Sequence, residues 1–281
     1  MVEAHLLYAV LTLTIALICG LPPVLSQIKE DANKLKILTG IAAGIILASA
    51  ALVVIPEGYE LASTNEHGSL DDEDGDEHVS GLLLGGAILA GFLLMLILEG
   101  SGMGHAVHEE HHNHDQEHNH EHIHHSSSGW LLLFGLTLHA ATDGIAIGAA
   151  AASGSVSITA TVALAVLIHK GPAAFSLGVF SMHERDNRND SIRDVVIFSL
   201  ATPIMILLAF FALEDLETQT IGLTMLFSAG TFLYVATVDT LPDIHNPETG
   251  RKAMLHVLFG ATLLSVILFG MDAIGLIDHG L

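Results

Sequence analysis

Apolar residues in this chain come in long unbroken blocks, not at the spacing of an amphipathic helix or an alternating strand. About 20 mostly apolar residues cross the ~30 Å hydrocarbon core of a bilayer. Blocks of that length recur eight times, over roughly residues 4–25, 36–56, 81–100, 130–152, 156–182, 193–213, 219–240 and 254–275. The pattern predicts an all-α polytopic membrane protein with eight transmembrane helices. Every polar stretch between blocks is shorter than about 30 residues, too short for an unaided globular fold, so residues 1–281 read as one transmembrane domain. The first block has no basic leader, carries Glu3 and is longer than the apolar part of a signal peptide, so it reads as a span.

Composition supports this reading. Hydrophobic residues make up 51% of the 281 and charged residues 14%, and the mean hydropathy is +0.58, values that an ordinary soluble domain does not reach. The net charge of −22 is concentrated in loops, and only nine residues are Lys or Arg, which excludes nucleic acid as a partner. The lone Cys19 rules out an internal disulfide. Lys29, Lys34 and Lys36 fall between blocks 1 and 2, Arg185, Arg188 and Arg193 between 5 and 6, and Arg251 and Lys252 between 7 and 8. All basic loop residues therefore share one side, which the positive-inside rule makes cytoplasmic, and both termini are expected in a lumen or outside the cell.

Two loops change the picture. Residues 61–80, LASTNEHGSLDDEDGDEHVS, hold no basic residue and read as an acidic lumenal or extracellular linker that raises the local cation concentration. As a Ca²⁺ loop this stretch fits poorly, because with Gly75 as the turn glycine Leu70 would be the first ligand and Gly81 the last. Residues 101–129 fall on the cytoplasmic side and are His-rich. His105, His108, His111, His112, His114, His118, His120, His122, His124 and His125 are interleaved there with five carboxylates. Imidazole is the commonest ligand for zinc and similar metals, so this loop reads as a metal-collecting segment without fixed geometry.

The sharpest chemistry lies inside blocks 4 and 5. An ionisable side chain at the bilayer centre costs about 2.5 kcal/mol or more and marks a functional site by default. His139 and Asp143 are four residues apart, on one helical face. An imidazole nitrogen and a carboxylate oxygen together suit Zn²⁺ and tolerate Mn²⁺ or Fe²⁺. His169 in the next block is the natural third ligand, and Pro172 cannot donate to the carbonyl of Ile168, loosening the helix beside it. Lys170 either pairs with Asp143 or stands as a fixed positive charge that repels a second metal; it need not share the pocket of His169. Glu57, Glu99, Asp239 and Asp272 lie near block ends and are expected at the membrane interface, Glu57 and Asp239 being the better candidates for the ion pathway. Gly40 with Gly44, Gly81 with Gly85, and Gly144 with Gly148 have the small-xxx-small spacing of close helix packing, and a homodimer is compatible with such helices.

At these residues the chain resembles the ZIP (ZRT/IRT-like) metal transporters, solute carrier family 39. HAATDG at 139–144, HKGPAAF at 169–175 and MLFSAGTFLYVATVDTLP at 225–242 carry the likeness. The first two together resemble the family's Golgi-associated member-nine branch. The resemblance implies a ZIP-like bundle whose fourth and fifth spans hold a mid-membrane metal site. It also implies uptake of a divalent metal, most readily zinc with Mn²⁺ as the second choice, into the cytosol by alternating access, with no organic cofactor. The implied host is a Golgi or other secretory-pathway membrane, or the plasma membrane. The common patterns are HNxxDG and HExPHE; here Ala140 replaces the Asn, Lys170 the first Glu, and Ala173 and Ala174 the following His and Glu. Thr202, before Pro203, stands where many members have a Glu. The second metal position of the family thus reads as dismantled, with the Lys170 ammonium in its place. A proton-coupled exporter of the cation-diffusion-facilitator kind, an intramembrane zinc hydrolase and a metal sensor are the competing readings.

Overall fold

The computed structural model describes residues 2–26, 32–63, 79–98, 128–185, 187–239 and 250–275. Nine α-helices are described: α1 (Val2–Ser26), α2 (Ala32–Ser49), α3 (Ile55–Ser63), α4 (Gly81–Leu98), α5 (Ser128–Ala152), α6 (Val156–Glu184), α7 (Arg188–Leu213), α8 (Thr218–Tyr234) and α9 (Gly250–Ala273). Two π-helical segments join them, Ala50–Val54 between α2 and α3, and Val235–Asp239 after α8. With α2 and α3 fused across the first segment, eight helices are long and apolar enough to cross a membrane. The protein is an all-α, multi-pass integral membrane protein.

Most boundaries fall near those expected, and the departures have local causes. The second span does not stop at residue 56 but runs to Ser63. Pro56 lacks the N–H that a regular α-ladder needs. The chain meets this with a π turn just before the proline, where the Ile55 N–H donates to the Ala50 carbonyl. Leu61 and Ala62 are consequently buried helix, not part of the acidic linker. Glu57, expected at the interface, is 5% exposed inside this span. Pro172, expected to loosen its helix, sits within an unbroken α6. Asp272 is exposed near the end of α9, as an interfacial residue should be. Asp239 ends the second π segment; its side chain, Glu99, residues 64–78 of the acidic linker and residues 101–127 of the His-rich loop lie outside what is described.

The helices pack as two groups. One holds α1, α5, α6 and α7, and the other α2 with α3, α4, α8 and α9. The groups meet where α6 lies against α2 and α5 against α8. Within each group, glycine brings backbones together. A Cβ on Gly144 would lie 2.5 Å from the Thr202 carbonyl oxygen and 2.7 Å from the Met205 Cβ. One on Gly44 would collide with the backbone of Val257. In lipid, helices associate through such close packing rather than through a hydrophobic drive. Two of the three glycine pairs thus serve as spaced: Gly40 and Gly44 face α9, and Gly144 and Gly148 face α7. Gly81 and Gly85 meet nothing within 4 Å.

The α5–α6 hairpin sets the depth of the site. Gly154, at φ 74°, makes the turn, the Ser155 hydroxyl caps α6 by accepting from the Ile158 N–H, and Thr159 Oγ1 donates to the Ala150 carbonyl 3.0 Å away. His139 precedes Gly154 by 15 residues and His169 follows it by 15. At 1.5 Å per residue both lie about 22 Å from the turn, hence at one level.

Gly144→Val should lower the thermal unfolding midpoint of the purified protein, since overpacking a tight contact costs about 1–3 kcal/mol. Gly85→Val should melt like wild type. Equal midpoints for all three proteins would contradict the packing described.

Candidate metal centre

The hairpin brings His139, Asp143 and His169 together, with one ligand atom from each lying within 4.8 Å of the others. The His169 Nε2 is 3.3 Å and the His139 Nε2 3.7 Å from Asp143 Oδ1. The three residues are at most 3% exposed. Among the described residues this is the one group of three or more His, Cys, Asp or Glu side chains so arranged.

Hydrogen bonding prepares these groups unequally. His169 Nδ1 lies 2.9 Å from the Ala165 carbonyl oxygen, one turn earlier on α6. A carbonyl only accepts, so Nδ1 carries the proton, and the neutral ring then presents the Nε2 lone pair to Asp143. Two acceptors facing each other at 3.3 Å need a cation between them, either a proton or a metal ion. Both ring nitrogens of His139 are buried without a hydrogen-bond partner. Buried polar atoms are rarely left so, and a metal ion would satisfy one of them. The arrangement can therefore hold one divalent ion through two imidazole nitrogens and one carboxylate oxygen, a donor set suited to zinc.

The other carboxylate oxygen is taken. Lys170 Nζ lies 3.4 Å from Asp143 Oδ2 and donates to Thr202 Oγ1 at 2.5 Å; Thr202 in turn donates to the Ala140 carbonyl at 2.7 Å. The ammonium also sits 4.3 Å from the centroid of the Phe198 ring, within cation–π range. His169 and Lys170, adjacent on α6 and about 100° apart around it, thus share one carboxylate by approaching opposite oxygens. Of the two roles open to Lys170, pairing with Asp143 is present, and His169 meets the same carboxylate.

Two aromatic residues carried no signal in the sequence. Phe198 lies under Lys170, and the Phe232 ring centroid is 6.0 Å from that of His139 and 6.1 Å from that of His169. Both are apolar residues in apolar blocks, so only the packing of α7 and α8 against the hairpin shows their place. Glu57 lies in the other helix group, in α3, and does not join the cluster within ligand distance.

Eight helices long and apolar enough to cross a membrane, with two histidines and an aspartate buried together among them, define an integral membrane protein with side chains that could hold an ion. A family model described as ZIP Zinc transporter matches residues 2–128 and 101–268. The chain is 33% identical to "Zinc transporter ZIP9" of Xenopus tropicalis, covering 83% of this chain and 84% of that protein. It is also 33% identical to "Zinc transporter ZIP9" of Micropogonias undulatus, over 81% of this chain and 80% of that one. With "Zinc transporter ZIP2" of Homo sapiens it shares 28% identity over 93% and 95% of the two chains. The chain belongs to the ZIP zinc transporter family and is similar to its ZIP9 members. It is a transporter, not an enzyme, and family membership sets aside the hydrolase and the cation-diffusion-facilitator readings.

Breaking a buried ion pair by removing one partner costs about 3–5 kcal/mol, because the remaining charge is left uncompensated. Lys170→Met should therefore unfold at lower temperature than wild type without metal, and should gain more from saturating zinc, which would rescue Asp143. Thermal melts with and without zinc test this. A variant as stable as wild type in chelator would contradict the pairing.

Proposed function

We propose that this protein moves zinc across its membrane into the cytosol through a single ion position formed by His139, Asp143 and His169. The observation that carries this reading is the approach of His169 Nε2 to the Asp143 carboxylate at 3.3 Å, beside a His139 whose buried ring nitrogens have no hydrogen-bond partner. Imidazole with carboxylate favours zinc over harder ions and accepts Mn²⁺ less well. The Lys170 ammonium, held by Asp143 and Thr202, occupies with its own charge the place of a second metal. One ion crosses per cycle.

Alternating access follows from the two helix groups. The cluster belongs to α5 and α6, and the other group meets these helices where α2 lies against α6 and α8 against α5. Glycine contacts lock each group internally, so the seam between them is the surface along which relative motion costs least. The basic residues at the α1–α2, α6–α7 and α8–α9 connections support, by the positive-inside rule, a cytosolic side for those connections and a lumenal side for the termini. The ten-histidine segment between α4 and α5 then lies on the receiving side, where it collects released metal. Glu57, buried in the second span, and Asp239 serve the pathway on the two sides of the cluster. The motifs HAATDG and HKGPAAF, which resemble those of the family's Golgi-associated branch, support a Golgi or other secretory-pathway membrane, with export of metal from its lumen.

Uptake into proteoliposomes tests the reading. Removing a ligand should reduce zinc flux by more than the 10–100-fold typical of losing a supporting residue. His139→Ala, Asp143→Ala and His169→Ala should each do so, and zinc should outcompete Mn²⁺ in wild type. Full flux in any of the three variants would remove that residue from the site.

A further inference from the structure

Phe232 is a residue of the facing helix group whose ring lies 6.0 Å from His139 and 6.1 Å from His169, centroid to centroid. It belongs to α8, whereas the three ligands belong to α5 and α6, and the groups meet where α5 lies against α8. Its ring is fully buried and lies crosswise to both imidazoles, at 65° to His139 and 82° to His169. Phe232 belongs to an apolar cluster of buried residues that also holds Ile45, Ile46, Val53, Met225 and Ala229.

Two further features sit on this helix. One turn before Phe232 and on the same side of α8, Ser228 is fully buried and its hydroxyl has no hydrogen-bond partner. An orphan hydroxyl in an apolar seam is costly, yet it is the group a partly dehydrated cation would use on leaving the ligands. Directly after Tyr234, α8 gives way to the π-helical segment Val235–Asp239. Such segments mark functional sites and loosen the helical ladder locally, which lets the Phe232 turn shift without unravelling the span.

We propose that Phe232 is the seal of the transport site. The ring closes the His139–Asp143–His169 cluster against the facing helix group, and its displacement, with Ser228 as the next polar contact, is the step that opens the cluster to one side. This rests on the ion position proposed above. By excluding water the ring also keeps the imidazole and carboxylate donors, rather than solvent, in charge of which ion is held.

Zinc and calcium fluxes into proteoliposomes carrying the full chain test this, for wild type, Phe232→Leu, Phe232→Val and Phe232→Ala. Wild type should give saturable zinc flux and exclude calcium. As the side chain shrinks from Leu through Val to Ala, a non-saturating component should grow, reaching about tenfold above the wild-type rate at high zinc, a change of about 1.4 kcal/mol in the barrier, and admitting calcium. Phe232→Leu, which keeps most of the apolar bulk, should stay close to wild type. Should the Ala protein fail to fold, the Leu-to-Val step carries the same comparison. Saturable, calcium-excluding flux in a folded Val or Ala variant would overturn the seal while leaving the ion position intact. Loss of all flux in a folded variant would also overturn it, because the ring would then be holding the ligands rather than covering them. Undiminished zinc flux in His139→Ala, measured alongside, would instead remove the ion position and the seal with it.

Discussion

Everything around the centre of this molecule answers to one buried carboxylate. Asp143 is 1% exposed in the middle of a membrane span, where an unpaired charge is among the most costly things a protein can hold. The structure divides its two oxygens. Oδ2 faces Lys170 Nζ, and Oδ1 faces two imidazoles that could hold a metal ion with it. With Lys170 alone the site is balanced in charge. Two neutral imidazoles then offer a divalent ion favourable coordination without making its release prohibitive. A carboxylate with no resident ammonium would hold such an ion more tightly and invite a second.

The surrounding fold can be seen as the means of keeping that arrangement dry and registered. The symmetric α5–α6 hairpin fixes His139 and His169 at one depth, and the Ala165 carbonyl sets the tautomer of His169. Thr202 ties Lys170 to the backbone of α5 from a third helix, α7. Glycine contacts between α5 and α7 make that tie short, since Gly144 abuts the carbonyl of Thr202 itself. The facing group contributes no ligand atom to the cluster among the described residues; it contributes apolar cover. This division, candidate ligands on one side of a seam and cover on the other, is the arrangement that the proposed alternating access requires.

Much of this was legible in the sequence, for identifiable reasons. Eight long apolar blocks leave little freedom in a bilayer, so the spans could be read from length alone. Ionisable residues inside such blocks are so costly that His139, Asp143, His169 and Lys170 stood out at once. The extension of the second span to Ser63 was hidden, because Pro56 ordinarily ends a helix and the π turn that accommodates it has no compositional mark. The burial of Glu57 in that extension was hidden for the same reason. Phe232 and Ser228 were illegible for a different one: a phenylalanine and a serine in an apolar helix acquire meaning only from what the opposing helices bring against them. The Gly81–Gly85 pair shows the converse, a recognised spacing that meets no neighbour in this chain.

The central claim, one divalent ion shared by two histidines and one aspartate with a lysine in place of a second ion, is tested most directly by locating the metal. Crystals of the full chain grown with zinc, with anomalous difference density collected at the zinc edge, would show it. The account predicts a single membrane-embedded peak in contact with His139, Asp143 and His169, and none beside Lys170 and Thr202. A second embedded peak on the Lys170 side of Asp143, or an embedded peak bound elsewhere, would contradict it.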